Sequence, residues 1–489
     1  MAAYRPLWRA VCALSVLLLA GGCAPVGPNY KRVAVPTPAH YRFAETIAET
    51  ESLADAPWWQ VFQDPTLQAL IREAIANNLD LQAAVGRVKE ARARAGVAKS
   101  FLYPQVDGSA AYTFQRASSS SQTDQIAAPG QTDRNARNDE DEDASGSGVN
   151  HGGLYGVQLS WQLDFFGRIR REHEAAFATF LASEQGRRGV MVTLVGDVAT
   201  NYFSLRELDL ELQIARQTLQ NNDQLVTFFR NRLEGGVGNR LELDRAMAFR
   251  SQTAAAIPDL EQRIAIVEQA ISLLLGRVPG GIDRQPLPAA ATAPPAIPPG
   301  LPASLLERRP DVVQAEQLLV AANADVGAAK ALFFPNVSLT GFFGAISGEV
   351  ASLLGSSGGV WSVGPGLLQP IFNGGRLRHN LEAARARFET AVAGYRKAAL
   401  NGYREVANAL VSIQKLAQVR EQREASVIAL RDAADLARSR YDSGLASYYE
   451  IIEADQQLFE QQLLAAQASG AELQARADLY RALGGGWQP

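Results

Sequence analysis

Few side chains of this sequence are spaced for bond-making chemistry. The four histidines, His40, His151, His173 and His379, are scattered, and none falls in the spacing that a metal site or an activated nucleophile requires. Cys23 is the exception. It closes the run Leu19-Ala20-Gly21-Gly22-Cys23, behind Arg5, Arg9 and an apolar stretch from Val11 to Ala20. That stretch is too short to span a bilayer and right for a secretory signal. Small residues ahead of a single Cys resemble a bacterial lipobox, which implies that residues 1–22 are removed and Cys23 is acylated. Ala24 rather than Asp at the next position matches lipoproteins sent on to the outer membrane. Cys12 leaves with the signal, so no second thiol remains for a disulfide or thiolate site. The chain is read as no enzyme, with no metal and no cofactor beyond a covalent lipid on Cys23.

The remaining charges argue about surroundings. Asp139-Glu140-Asp141-Glu142-Asp143 lies in a stretch from about Arg116 to Gly152 that is rich in Ser, Gln, Asn and Asp and cannot bury a core. A solvated extracellular loop is expected there, with a cation-binding role as the second reading. A net charge of −4 with no basic, aromatic-rich patch gives no reason to expect nucleic acid. Beyond the signal, no stretch reaches the ~20 apolar residues of a transmembrane helix, so any crossing falls to strands.

The elements that carry these residues come in two copies. Gly167-Arg168-Ile169-Arg170 recurs as Gly375-Arg376-Leu377-Arg378, and Arg232-Leu233-Glu234-Gly235-Gly236-Val237 as Arg440-Tyr441-Asp442-Ser443-Gly444-Leu445, both 208 residues apart. Upstream, Gly96 to Val106 recurs as Gly327 to Val337, 231 apart; the first copy holds a longer insert, and the chain is a duplicated unit. Tyr155, Val157, Leu159, Trp161, Leu163 and Phe165 alternate with small or polar residues, the pattern of a strand between lipid and a wet lumen. Val106 to Phe114 alternates more weakly, and the second copies run through Val337-Ser338-Leu339-Thr340-Gly341-Phe342-Phe343 and Trp361-Ser362-Val363-Gly364, with a bend or strand end expected at Pro365. Four strands cannot close alone and open edges are not viable in lipid, so several chains must combine. Three would supply twelve strands, within the usual range.

Helices fill the rest. No proline interrupts 168–233 or 376–441, and Val195, Val198, Tyr202, Leu205, Leu208 and Leu212 follow helical spacing, as do Tyr403, Val406, Leu410, Ile413 and Leu416. About 65 residues at 1.5 Å each give a helix of roughly 100 Å. Each ends at a glycine turn, Gly235-Gly236 or Gly444, from which a second helix returns. Asn239-Arg240-Leu241-Glu242 and Ser447-Tyr448-Tyr449-Glu450 both fit capping boxes, which would occupy Glu242 and Glu450; Glu453, one turn further, has no capping duty. Pro258 in the first return helix predicts a kink or break. The Pro-rich stretch from Pro286 to Pro302 reads as linker, which with Ala24 to about Pro57 and the chain's end would form a collar midway along the helices.

Several separated motifs carry a family resemblance: Pro57-Trp58-Trp59, Gly300 to Leu306, Arg308-Arg309-Pro310-Asp311-Val312, Ala321-Ala322-Asn323-Ala324, Phe333-Phe334-Pro335 and Ala482-Leu483-Gly484-Gly485-Gly486-Trp487. Together with the lipobox and the duplication, they resemble the outer-membrane factors of tripartite efflux pumps, in the NodT/OprM-like lipoprotein branch with a TolC-like fold. The resemblance implies a mixed α/β membrane protein, a homotrimer whose twelve-stranded β-barrel in the outer membrane of a Gram-negative bacterium is continuous with a periplasmic twelve-helix α-barrel. Its implied partners are a periplasmic adaptor and an inner-membrane proton-driven transporter of the resistance–nodulation–division class, and its implied function is the passive exit duct for drugs or other small molecules. The implied periplasmic aperture comprises Glu453, Tyr449, Glu450, Glu242 and Leu241, with carboxylates in rings that favour cations. The implied adaptor-docking tip comprises Gly235, Gly236, Gly444, Arg232 and Arg440.

On this reading the chain divides into the signal, 1–22; a lipid-anchored N-terminal segment and equatorial region, 23–64; a first repeat, 65–276, with strands at about 104–116 and 153–166, a long helix at 168–233 and a return helix at 241–276; and a linker, 277–303. A second repeat, 304–484, has strands at about 335–346 and 359–372, a long helix at 376–441 and a return helix at 448–483. Residues 485–489 are a tail. A channel for type I protein secretion shares the fold and is the nearest alternative. A periplasmic adaptor or scaffold lipoprotein is the second, and would need one hairpin and soluble β domains.

Overall fold

The computed structural model describes residues 25–41, 64–116, 149–284, 302–347 and 359–485. Cys23, the Asp139–Asp143 run, Trp58-Trp59, Trp487 and most of the Pro-rich linker lie outside the described residues. The chain divides into two compact units, one of Met1–Asn29, Arg94–Glu174 and Ala324–Arg385, the other of Tyr30–Ala93, Ala175–Asn323 and Ala386–Pro489.

Among the described residues the element order is α1 (Pro65–Asn77), α2 (Leu79–Ser100), β1 (Gln105–Arg116), β2 (Val149–Leu163), α3 (Arg168–Glu234), α4 (Arg240–Leu274), α5 (Pro302–Arg308), α6 (Pro310–Ala331), β3 (Asn336–Ser347), β4 (Gly359–Leu368), α7 (Arg376–Asp442) and α8 (Tyr448–Ala482). The duplication is now visible in lengths: α3 and α7 are 67 residues each, α4 and α8 are 35, and α2 and α6 are 22. At 1.5 Å per residue each long helix measures about 100 Å. No described helix is long and apolar enough to cross a membrane, a finding that says nothing of strands.

In the first unit the strands form one antiparallel sheet in the order β1-β2-β3-β4. Side chains alternate between faces, and the register aligns the apolar positions across all four strands. Gly108, Val157, Phe343 and Trp361 form one row, and Val106, Leu159, Gly341 and Val363 the next. Val157, Phe343, Trp361 and Val363 are all exposed, Phe343 and Trp361 by more than 70%. A contiguous apolar face of this kind is a contact surface for lipid or protein. The other face carries Asp107 with Gln158 and Ser160 with Thr340, interrupted by Phe342. Pro365 does not end β4, which pairs with β3 as far as Leu368. An edge strand tolerates proline because alternate N–H groups point away from its neighbour. β2 begins at Val149, earlier than the alternation suggested, and β4 stops at Leu368 rather than 372.

The strand-to-helix junctions are capped individually. Asp164 accepts from the backbone N–H of Ile169 and Arg170, at 3.0 and 2.9 Å, and Asn373 from that of Leu377 at 3.3 Å. Phe166 stacks on Phe334 with ring centroids 4.9 Å apart. The segment after Pro25 is bound here too: Val26 N–H donates to the Phe166 carbonyl, and buried Arg171 donates to the Asn29 side chain at 2.7 Å.

In the second unit the core gathers at mid-helix. Val195, Val198, Tyr202 and Leu205 of α3 and Val406 of α7 pack with Leu67 and Ile71 of α1, Ile271 of α4, Leu305 of α5 and Leu479 and Tyr480 of α8. These are the helical stripes expected from spacing, and each buried Val or Leu contributes ~1.5–3 kcal/mol. Around this core lie α1, the short α5 and the ends of α4 and α8, whereas most of the segments expected to form a collar lie outside the described residues. Asp64 caps α1 through the N–H groups of Thr66 and Leu67 and accepts from the Tyr202 hydroxyl at 2.6 Å. Tyr30 and Arg32 reach Glu316, and Tyr41 is buried in the core. Pro258 does not break α4, which runs unbroken from Arg240 to Leu274. Only one backbone donor is lost, and Ile257 and Leu260 on either side pack against Leu208, Leu212 and Phe459.

Candidate conduit aperture

The residues expected to line an aperture sit where α3 turns into α4 and α7 into α8. Both turns are the same Schellman motif. Val237 N–H donates to the Arg232 carbonyl and Gly236 N–H to Leu233, both at 3.0 Å; Leu445 N–H donates to Arg440 at 2.8 Å and Gly444 N–H to Tyr441 at 2.9 Å. The six-to-one and five-to-two bonds satisfy carbonyls that the helix leaves without partners. They require positive φ at one residue, +75° at Gly236 and +73° at Gly444. Gly235 stands where the second copy has Ser443 and has no such constraint. Each turn is also clamped by an arginine: Arg232 donates to the Val237 carbonyl and Arg440 to that of Leu445, at 3.4 and 3.3 Å. Val237 and Leu445 are left about 70% exposed at the two crests.

Beyond the turns the copies differ. Asn239 accepts from Leu241 N–H at 2.9 Å and caps α4, but Ser447 makes no side-chain cap bond to α8. The capping box expected at Ser447–Glu450 is therefore absent. Glu450 instead lies 3.8 Å from the Arg440 guanidinium, because the turn brings that arginine back over the first turn of α8. Tyr449 is half exposed, with the Arg245 guanidinium 5.3 Å from its ring centre. Leu241, its counterpart, is equally exposed. Glu453 is exposed and, among the described residues, accepts only a long bond, 3.4 Å, from Gln457 one turn on. Its counterpart is Arg245, so the layer that carries an acid in the second copy carries a base in the first.

Behind this exposed layer lies a packed one that sequence reasoning missed. Phe229, Tyr448, Ile451 and Ile452 are buried together with Val226 and Ala437. Arg232 rests against the rings of Phe228 and Tyr441, at 5.7 and 5.5 Å, and so joins α3 to α7. Asp455 is buried and accepts from Arg438 at 2.7 Å. Burial raises its pKa and Arg438 opposes the rise. Burial, Asp455 and Glu242 together keep the Tyr448 hydroxyl protonated. The signal was available: Tyr448, Ile451, Ile452, Asp455 and Phe459 follow one helical stripe, and an acid on such a stripe must find a buried partner. Asp455 and Arg438 also line a polar cavity of 390 Å³ with Asn221, Asn222 and Gln462.

A second acidic locus lies higher on α3. Glu211 is buried and Glu207 partly so, one turn apart. α8 approaches closely because residue 470 is glycine; a Cβ there would collide with the Glu207 carboxylate. Burial first, then the Glu211 charge, pushes the Glu207 pKa up from 4.5 to about 7, against Arg263 and a 3.1 Å bond from Gln474.

The family described as outer membrane efflux protein matches residues 70–277 and 301–485. "Probable outer membrane lipoprotein SilC" of Salmonella typhimurium is 32% identical over 477 residues, 97% of this chain and 98% of its own. The toluene efflux pump outer membrane protein TtgI of Pseudomonas putida is 32% identical over 477 residues, 96% and 97% of the two chains. The solved structure of the outer-membrane channel OprN superposes with a TM-score of 0.81 at 31% identity, covering 95% of this chain and all of that one.

Proposed function

Because this chain belongs to the outer membrane efflux protein family, an outer-membrane efflux channel with a TolC-like fold, we propose that three copies close into a twelve-stranded β-barrel continuous with a twelve-helix α-barrel. The observation that carries this reading is the four-stranded sheet with one apolar face and two outer strands, β1 and β4, that pair on one side only. Such a sheet is stable in lipid only when its edges are closed by other chains. The duct is passive. A periplasmic adaptor meets it at Gly236, Gly444 and their clamping arginines Arg232 and Arg440, with Gly235 beside them, and an inner-membrane proton-driven transporter supplies the energy. Cys23 carries the lipid that anchors the mature chain. A protein-secretion channel would share the fold, but relatives such as TtgI are named for efflux; the adaptor reading has no use for a duplicated strand hairpin.

Threefold repetition places Glu453, Glu450 and Glu242 in rings, with Tyr449 and Leu241 as the bulky groups beside them. Rings of carboxylates select cations. The alternating Arg245 tempers this field, and Glu453 is the selectivity acid because neither a cap nor an ion pair engages it. Single-channel recording in planar bilayers tests the reading. Purified trimers are expected to give small cation-selective currents that lose selectivity in Glu453→Ala. Well-folded protein that forms no channel would overturn it.

A further inference from the structure

Glu207 and Glu211 stand one turn apart on the face of α3 that meets α4 and α8. Glu211 is only 2% exposed, and its Oε1 has no hydrogen-bond partner among the described residues. Its Oε2 accepts from Arg263 of α4 at 3.5 Å, and Arg263 also opposes the charge of Glu207. From α8, Gln474 donates to Glu207 at 3.1 Å and Gln467 faces Glu211. Asp259 of α4 is a further acid beside Glu211, but it is exposed to solvent. Glu472 of α8 is turned instead to Arg420 and Arg476, both at 2.8 Å.

Two carboxylates that face one guanidinium leave a negative charge over in a site that disfavours it. A donor for Glu211 Oε1 is missing as well. A single proton meets both demands: on Glu207 it makes an O–H that donates to Glu211, and with Arg263 it brings the group to neutrality. We propose that Glu207 and Glu211 hold one proton between them, and that this proton keeps α8 seated against α3 at Gly470.

The seat is tight. A Cβ on residue 470 would lie 2.7 Å from that of Glu207 and collide with its carboxylate. A gap that rejects a methyl group also rejects a water molecule, so the ionised pair regains hydration only if α8 withdraws. Burial and then the Glu211 charge raise the Glu207 pKa to about 7, which places release of the proton between pH 6 and 8.

This contact belongs to one repeat alone. The positions equivalent to Glu207, Glu211 and Gly470 are Lys415, Val419 and Gln262, yet α7 and α4 match α3 and α8 in length. The long-helix architecture therefore forms without an acid pair or a glycine at this height. Below Gly470, α8 continues unbroken to Glu453 and Tyr449, so two of the residues expected at the aperture ride on the helix whose seat the proton sets. Every contact invoked lies within one chain, and the proposal stands independently of the trimeric reading.

Two measurements on the full-length protein in lipid test it. Infrared difference spectra between pH 5 and pH 8 should show a protonated carboxyl that is lost on raising the pH and is absent when Glu207→Gln and Glu211→Gln are combined. Amide hydrogen exchange, corrected for its intrinsic pH dependence, should show protection of residues 467–474 falling about tenfold from pH 6 to pH 8, the change linkage gives for one proton held with a midpoint near 7 and released on opening. Glu207→Gln, a neutral isostere that keeps a donor for Glu211, is expected to hold protection at its pH 6 level at both pH values. No carboxyl titrating in this range, or a tenfold loss that persists in Glu207→Gln, would overturn the proposal. Protection restored at pH 8 by Ca2+ alone would overturn it too, by making a metal ion the occupant in place of the proton.

Discussion

The two halves of this chain have kept one backbone and parted in chemistry. Their long helices match in length, their hairpins in register and their turns in hydrogen bonding and in the sign of φ. At the apertural end the side chains diverge: Leu241 answers Tyr449, Arg245 answers Glu453 and Met247 answers Asp455. The difference follows from what each level must do. Strand register and turn geometry are held by backbone hydrogen bonds that both copies must satisfy. Side chains beyond the turns need only pack, so they are free to differ between the copies.

The shared backbone is broken most severely at the turn. Gly444→Pro forces φ to about −65° where the turn needs a positive value, and it removes the donor to the Tyr441 carbonyl. We expect loss of export in cells that express the matching adaptor and transporter, with outer-membrane insertion retained; fractionation and growth in exported compounds read the two separately. Gly236→Pro should do the same, and Gly235→Ala should do almost nothing, since Gly235 matches Ser443. Normal export by Gly444→Pro would remove the turn from the docking surface.

The chemical difference is sharpened by exchanging the copies. Glu453→Arg makes the second repeat resemble the first, so an alternating layer becomes wholly basic. Reversal-potential measurements in a salt gradient should show cation preference lost or turned toward anions, because the sign of a charged ring sets the preferred ion. Arg245→Glu, the reciprocal change, should strengthen cation preference and release Tyr449 from its cation–π contact. Unchanged selectivity in both variants would take this layer out of the permeation path.

Much of this arrangement was legible in the sequence, for identifiable reasons. Long proline-free stripes such as Val195 to Leu208 fixed helices, and period-two runs such as Tyr155 to Leu163 fixed strands, because each pattern has one physical explanation. At Pro258 and Pro365 the alternatives of a helix break and a strand end fail, since packing around α4 and the edge position of β4 absorb the lost backbone donor. The capping box at Ser447 was misread because Arg440, nearby only once the turn is folded, competes for Glu450. Asp455 and Glu207 went unnoticed for the same reason: their partners, Arg438 and Glu211 with Arg263, include residues brought close only by helix packing.

Glu207 offers a difference between halves that is read by pH, since the equivalent position in the second copy is Lys415. Its carboxyl has a native pKa of about 7 against an ordinary 4.5. The native state therefore binds more protons in that window, so this group's favourable contribution is complete below about 4.5 and disappears as pH rises through about 7. Thermal unfolding of the helical signal should fall on going from pH 5 to pH 8. Glu207→Gln should flatten that fall by about 2–4 °C, in keeping with a change of order 1 kcal/mol in a large domain. An unchanged slope would mean that water reaches Glu207.

The smallest expected effect separates the two clamping arginines. Arg232 rests on two rings and joins α3 to α7, whereas Arg440 faces Glu450 at 3.8 Å with both side chains about half exposed. Cation–π contacts contribute at least about 0.5–1 kcal/mol each, the value for exposed sites, and exposed ion pairs have a median near 0–1 kcal/mol. Arg232→Ala should thus lower the melting temperature by about 2–3 °C and Arg440→Ala by about 1 °C or less. Salt distinguishes them further, because screening shortens to about 3 Å in 1 M salt and removes the Arg440 contribution while the aromatic stacking of Arg232 persists. Equal losses that respond equally to salt would show that both arginines act mainly through the turn carbonyls they share, Val237 and Leu445, and that the copies differ less at the tip than their rings and charges imply.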